Sequence, residues 1–516
     1  MELLKEQVFL DQCVGSEQHQ IMLEGEILIP DAKPDMQLIL QNEEYIRIDH
    51  NEISTDRVHF AGKMNLWVLY MAKGADKDAQ VLAHEHDVND FVNVDGADKG
   101  MSAWVKAEVA NAELRMINDR KVSYRVVVNI LAHVERSDAH DMVVHINGVP
   151  ENQLLKKPLN VNRTIENRTD TFTIAETLYL SSGKPNVREV LLVTPTIASS
   201  DERLTNGRLN ISGELLVTTL YRGETEERLI ELIENAIPFN GTFDVSGARE
   251  DMHSDVTLQV TGCNVRILPD DDGEDRLLEL EVTVSAQMKI YSTETLNVLE
   301  DAYSIDKELH LSGASILIPR LICHNRNAAS VKEVVTLPAG VPDMLQVFRV
   351  RGVVHLDDTK VMDDKVVVEG VINTDVLYVA ESDAQPLGAF RSVVPFRQVI
   401  EAKGTQPGMR VTVNTSIDQA TFNMLSPRET EVRFMLTFNT RVIHETEARI
   451  INNVSITDPD EINRNDASLI VYLVQNDDTL WSIAKRYNTP LDTLLSTNGI
   501  EANAPLTPGQ KLLLVK

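Results

Sequence analysis

VHFAGKMNLWVLY, residues 58–70, returns as LNISGELLVTTLY at 209–221 and as VVVEGVINTDVLY at 366–378. Apolar residues alternate with polar or small ones in each copy: Val58, Phe60, Met64, Leu66 and Val68, then Leu209, Ile211, Leu215 and Val217, then Val366, Val368, Ile372 and Val376. A period of two is the pattern of a β-strand with one buried face. Each copy has a glycine in mid-strand (Gly62, Gly213, Gly370), which predicts a bulge or a bend. Each ends on a tyrosine (Tyr70, Tyr221, Tyr378), expected to bury its ring and keep its hydroxyl at the rim. Working outward, a proline stands 28 residues before each glycine (Pro34, Pro185, Pro342), and each tyrosine follows its glycine by 8. A phenylalanine comes later in every copy: Phe91, Phe239 and Phe396. The copies recur after 151 and then 157 residues, a domain-sized period, so they are tandem domains rather than solenoid turns.

Further alternating runs follow in each repeat (Val105–Val109, Val256–Val260, Val411–Thr415), and then a closing strand (Tyr124–Ile130, Leu278–Val284, Glu431–Phe438). With strands of about five to ten residues and polar turns such as Pro269–Gly273 between them, the expected fold is mainly β. It comprises three tandem β-sandwich-like or open-barrel-like domains at 1–136, 171–295 and 329–448. The stretches 137–170, 296–328 and 449–468 read as connectors, leaving 469–516 as a small fourth domain.

The chain has 516 residues, a net charge of −30 and 5% aromatic residues. Residues 469–516 balance four acids (Asp477, Asp478, Asp492, Glu501) against four bases (Lys485, Arg486, Lys511, Lys516), so the whole acidic excess lies before them. Such a body repels nucleic acid and anionic lipid headgroups, so no nucleic-acid partner is expected. The first residues lack a basic segment followed by an unbroken apolar run, and no 18-residue apolar stretch exists, so neither a signal peptide nor membrane insertion is expected. Three widely spaced cysteines, Cys13, Cys263 and Cys323, point to free thiols in a reducing compartment. A cytosolic location is expected.

From Tyr472 the chain runs YLVQNDDTLWSIAKRYNTPLDTLLSTNGI, and then LTPGQKLLL to Leu514. Tyr472 and Val474 alternate as a strand. Leu480, Ile483, Ala484 and Tyr487 form a helical stripe entered through Asp478 or Thr479. Thr489 and Pro490 read as N-cap and first-turn proline of a second helix, with Leu491, Leu494 and Leu495 inward and Gly499 as its stop. Pro508-Gly509 turns into a closing strand at Leu512–Leu514. This βααβ pattern resembles the LysM module over residues 469–516. The resemblance implies an α+β fold and a groove for N-acetylglucosamine glycans such as peptidoglycan. The groove is formed by Asp478, Thr479, Leu480 and Trp481 on one loop and by Asn498, Gly499 and Ile500 on the other. Asp477 departs from the family's glycine, placing a strained carboxylate at the sugar-facing edge. Trp481, outside the helical stripe, is the candidate exposed anchor; Lys485 and Arg486 lie beside the groove, where they can meet an acidic partner.

Three such repeats followed by a LysM module resemble the spore-coat morphogenetic proteins of clostridia and bacilli. That resemblance implies a scaffold in the mother-cell cytosol that tethers coat proteins to the forespore surface. It also implies that the LysM module binds protein, with the ATPase of the coat's basement layer as partner. The second reading is a peptidoglycan-binding accessory protein.

No chemistry-bearing constellation competes with these. His84 and His86 share a strand face but lack a third ligand and read as part of a solvated, charged hairpin, and Asp270–Asp275 lacks the spacing of a calcium loop and reads as an exposed acidic turn. No G-x-x-x-x-G-K-S/T loop, G-x-S-x-G elbow or cysteine nucleophile pair is present. No enzyme activity, metal or cofactor is expected.

Overall fold

The computed structural model describes residues 1–74, 78–225, 230–457, 469–501 and 504–515. The first repeat is six strands: β1 (Glu2–Leu28), β2 (Met36–Ser54), β3 (Arg57–Ala72), β4 (Ala79–Asn93), β5 (Ser102–Asn118) and β6 (Lys121–Asn147). They form two three-stranded antiparallel sheets, ordered β2-β3-β4 and β1-β6-β5. The sheets pack face to face, with Val58, Phe60, Met64 and Leu66 of β3 in one core with Val122, Val126, Val128 and Ile130 of β6. The second repeat has the same plan in β7 (Asn152–Tyr179), β8 (Val187–Thr205), β9 (Arg208–Gly223), β10 (Ile230–Asp244), β11 (His253–Pro269) and β12 (Asp275–Ser304). So does the third, in β13 (Glu308–Thr336), β14 (Met344–Met362), β15 (Lys365–Ala380), β16 (Leu387–Glu401), β17 (Arg410–Ser426) and β18 (Glu429–Thr457). The fold is mainly β, with three tandem sandwiches as expected.

The sequence landmarks have a single geometric explanation. Tyr70, Tyr221 and Tyr378 are buried, and their hydroxyls donate to the carbonyls of Pro34, Pro185 and Pro342 at 3.0, 3.1 and 3.2 Å. That bond fixes the constant proline–tyrosine spacing. The mid-strand glycines face bulges in the neighbouring strand. A Cβ on Gly62, Gly213 or Gly370 would stand 2.0, 2.2 or 2.2 Å from the carbonyl oxygen of Arg47, Ser199 or His355. The phenylalanines are not equivalent. Phe239 and Phe396 lie opposite Gly213 and Gly370, whereas the residue opposite Gly62 is Val88, and Phe91 pairs with His59 instead.

Strand length departs from expectation: the strands of the three repeats run from 15 to 30 residues. Residues 137–170 and 296–328, read as connectors, are strand almost throughout, and 449–457 complete β18; residues 458–468 lie outside the described residues. The reason is packing. The outer halves of β1 and β6, of β7 and β12, and of β13 and β18 leave their sandwiches as three two-stranded ribbons that pack against one another. They bury Val8, Leu10, Met142, Val161, Leu296, Val298, Ile316, Ile318 and Ile450 in one cluster and Val143, Ile146, Leu299, Ala302, Ile451 and Val454 in another. A ribbon buries only one face, and its polar face made it look like a linker.

A third shared cluster joins the sandwiches. In β2, β8 and β14 a bulge leaves Leu40, Leu191 and Phe348 without a partner opposite. A bulge re-aims a side chain, and these three turn away from their own cores into a common cluster with Leu69, Leu220 and Leu377. Beside it, Arg349 of β14 donates to Glu43 of β2 and to Thr194 of β8, both at 2.7 Å, and Thr194 donates to Glu43 at 2.7 Å. Three side chains thus join three repeats.

The last domain is β19 (Leu469–Leu473), α1 (Leu480–Arg486), α2 (Leu491–Asn498) and β20 (Lys511–Val515), the expected βααβ order. Thr479 caps α1 in a capping box with Ser482. At α2 the N-cap is Pro490 rather than Thr489, because the buried Thr489 turns its hydroxyl back to the Tyr487 carbonyl. Gly499 ends α2 at φ 59°. Among the described residues no helix is long and apolar enough to cross a membrane.

Candidate functional site: the C-terminal module and its seat

The first predicted groove loop is held by its own hydrogen bonds. The Asp478 carboxylate accepts from the Tyr472 hydroxyl at 2.6 Å and from the Gln475 N–H at 2.9 Å, and Arg486 lies 3.4 Å away. The Tyr472 hydroxyl, the Gln475 amide and the Arg486 charge hold that carboxyl below the usual range. Thr479 is the helix cap and Leu480 is core. Asp477, in the family's glycine position, has φ 67°, the left-handed region that disfavours a Cβ. On the second loop the Asn498 amide donates to the carbonyls of Leu494 and Leu513, both at 2.8 Å, and accepts from the Leu513 N–H at 2.7 Å. It locks α2 to β20. Gly499 is exposed and Ile500 packs on the module's core.

Trp481 is half-buried against the second repeat rather than projecting into solvent. Its Nε1 donates to Asp301 Oδ2 at 2.8 Å, and Lys485 Nζ donates to Asp301 Oδ1 at 2.5 Å. Residues four apart on a helix share a face, which lets one carboxylate take both donors. The Tyr303 ring meets Trp481 edge-on, centroids 5.0 Å apart, and its hydroxyl donates to the buried Thr489 carbonyl at 2.8 Å. Arg486, the other predicted cation, is used inside the module on Asp478 and the Tyr472 hydroxyl. Of the nine predicted groove residues, the structure therefore gathers Trp481 and Lys485 on one contact face and commits Asp478, Thr479, Arg486 and Asn498 to the module's own fold.

Other sites resolve as follows. His84 and His86 do share a face, but both sit on the Tyr124 hydroxyl, at 3.1 and 2.7 Å. They are half-buried there rather than part of a solvated hairpin. Asp270–Asp275 is a turn in which Asp270 Oδ1 caps the N–H groups of Asp272 and Glu274, each at 3.0 Å. Among the described residues no group of three or more His, Cys, Asp or Glu side chains has the geometry to hold a metal ion. The three cysteines are free.

One cluster escaped the sequence reading because its members lie 120 residues apart. Cys13 Sγ stands 3.9 Å from His133 Nδ1, and His133 Nε2 stands 3.2 Å from Glu135 Oε1. Lys289 of the second repeat bridges Glu135 and Asp11 at 2.6 and 3.2 Å. The His133 hydrogen bond draws the Cys13 thiol down. Burial pulls the imidazole down, but Cys13 and Glu135 outweigh it and raise it to about 9. Burial pushes Glu135 up, yet His133 and Lys289 hold it at about 2. The cluster works as a charged clasp between two repeats.

Glu202 lines a cleft of about 370 Å³ with Glu250, Met252 and Ser254. Burial pushes its carboxyl up to about 7, well above the usual carboxylate range. A carboxyl raised in the fold contributes stability at low pH and loses it as pH rises through 7. Glu202→Gln should therefore gain on the wild type by up to about 3 kcal/mol between pH 5 and pH 8; denaturant unfolding at the two pH values measures it.

Residues 35–117, 186–268 and 343–425 match the SipL, SPOCS domain family, and residues 472–515 match the LysM domain. The three SPOCS matches begin just ahead of β2, β8 and β14 and end within β5, β11 and β17, leaving the long ribbon strands outside them. Neither the curated proteins nor the solved structures contain a match.

Proposed function

We propose, from a chain built of three SPOCS domains and a LysM domain, that this protein is a non-enzymatic scaffold of spore-coat assembly. In this reading it works in the mother cell at the forespore surface, and its LysM domain docks a protein partner, the ATPase of the coat's basement layer, while the β body engages other coat proteins. The observation that carries the reading is the fate of the groove. The polar side chains Asp478 and Asn498, which would meet a sugar, are consumed by the module's own hydrogen bonds. The groups left to make contact are an indole and an ammonium on one helix face, used here on protein. Aromatic anchors flanked by charge are a common form of protein hot spot. The joining of three sandwiches through shared clusters supports a rigid scaffold.

Trp481→Glu should cut capture of the basement-layer ATPase at least about tenfold, a loss of 1.4 kcal/mol or more, with the strand signal of the β body unchanged by circular dichroism. Retention on insoluble peptidoglycan is measured alongside. Loss of peptidoglycan retention with undiminished ATPase capture moves the assignment to the glycan-binding accessory protein. A chain ending at Asp466, a position outside the described residues, is the deletion control.

A further inference from the structure

The seat of the LysM domain shows what its contact face recognises. Three complementary features meet there: a carboxylate accepting from both Trp481 and Lys485, an aromatic ring on the Trp481 indole, and a hydroxyl on the Thr489 carbonyl. All come from one tripeptide, Asp301-Ala302-Tyr303, in extended conformation near the end of β12. A bulge at Glu300 reverses the strand's alternation. Leu299 and Ala302 consequently both enter the ribbon core, while Asp301 and Tyr303 turn to the module. Burial pushes the Tyr303 hydroxyl up to about 12, so it stays a donor to the Thr489 carbonyl.

We propose that the face made by Trp481, Lys485 and the Thr489 carbonyl binds an extended Asp-x-Tyr segment, that Asp301–Tyr303 is its resident occupant, and that a protein partner bearing the same chemistry displaces it. This inference rests on the protein-docking reading above. It makes the module self-latched. A tethered occupant is present at roughly millimolar effective concentration, so partner affinity falls in proportion to the closed fraction. Only a partner offering the carboxylate and the ring together replaces every contact that opening breaks. A lone acidic residue leaves the Thr489 carbonyl buried without a donor.

The probe is a fluorescein-labelled peptide of residues 296–305, LNVLEDAYSI, titrated into the full chain and followed by anisotropy. Two full-length variants weaken the resident: Asp301→Asn, which removes the charge shared by two donors, and Tyr303→Phe, which removes one hydroxyl and keeps the ring. Each should bind the peptide at least about tenfold more tightly than the wild type. A peptide with Asn for Asp301 and Ala for Tyr303 should not bind. Equal binding to wild type and to either folded variant overturns the latch. Binding indifferent to the peptide substitutions overturns the recognition chemistry. Chitohexaose is the second titrant. If the opened chains bind it and ignore the peptide, the protein-docking reading falls as well. If the ATPase is captured through Trp481 and yet the peptide does not bind, this inference alone fails.

Discussion

Arg349→Met is expected to cost about 3–5 kcal/mol and to let the three repeats unfold separately. Glu43 has 0% and Arg349 6% side-chain exposure, and they meet at 2.7 Å where β2, β8 and β14 converge. Removing the guanidinium leaves a carboxylate shut away from water with the Thr194 hydroxyl and the more distant Arg351 as company. A buried ion pair is worth little over an apolar replacement, but half of one is expensive. Glu43→Leu added to Arg349→Met should therefore recover most of the loss, a non-additivity that a double-mutant cycle reads directly. Burial pushes the Glu43 carboxyl up, but the charges of Arg349 and Arg351 outweigh it and hold it below the usual range. A carboxylate depressed in the fold stabilises above its unfolded pKa and loses that contribution as pH falls. The gap between Arg349→Met and wild type should therefore close in acid. Calorimetry decides the matter: one joint transition in the variant, at the wild-type temperature, refutes the role given to Arg349.

Gly62→Ala should destabilise the first repeat by about 2–4 kcal/mol. The added methyl would stand 2.0 Å from the Arg47 carbonyl oxygen, a backbone atom that cannot rotate away. Either β2 moves off β3 or the bulge between Ile48 and His50 is lost, and both uncouple a row of ladder hydrogen bonds. Gly183→Ala is the control, since a Cβ there meets nothing within 4 Å and should change stability by no more than about 0.5 kcal/mol. Hydrogen exchange in β2 and β3 is the readout. Protection unchanged in Gly62→Ala would mean that the strands tolerate the methyl and that the glycine is not needed for close approach.

The sequence displayed the sandwiches because their signals are local. Alternation over thirteen residues, a glycine, a tyrosine and a proline can be matched by eye between copies. What lies between the repeats was hidden. The quoted stretches all end in Leu-Tyr, and only the tyrosine faces its own core; Leu69, Leu220 and Leu377 face the other repeats. On a strand assumed to be wet on one side, a leucine there carries no message. A second silent residue is the arginine that immediately precedes β6 and β18 and stands second in β12. Arg120, Arg276 and Arg428 each donate to two or more carbonyls of the loop carrying the landmark proline, and all three also meet an acidic or amide side chain there. Their distance from the proline differs in the second repeat, so spacing did not expose them. In the LysM domain the helices and stops were legible from caps and periodicity. The tenant of Trp481 was not, because Asp301 lies 180 residues away and, with Tyr303, sits in a stretch that read as a connector.

The ribbons also bear on how the chain avoids tangling as it is made. β1 lies at the edge of its sheet and is hydrogen-bonded only to β6, Glu2 facing Asn147, and β7 and β13 wait in the same way for β12 and β18. Each repeat therefore leaves the ribosome with a strand of 27 to 29 residues unpaired until its last strand follows. Such late, distant pairings are slow. Three waiting strands of similar pattern invite mating with the wrong closer, the usual error of tandem domains. The cross-strand charges oppose it. β1 brings Glu24 and Glu26 to Arg125 and Lys121, whereas β7 brings Lys157 and Arg163 to Glu300 and Glu294, and β13 brings Lys332 to Glu431. Aligned on Arg120 and Arg276, β12 would set Glu281 opposite Glu24 where Arg125 belongs, and like charges across a ladder repel. The charge on Glu24 thus favours β6 over β12 as the partner of β1 while the chain is being made.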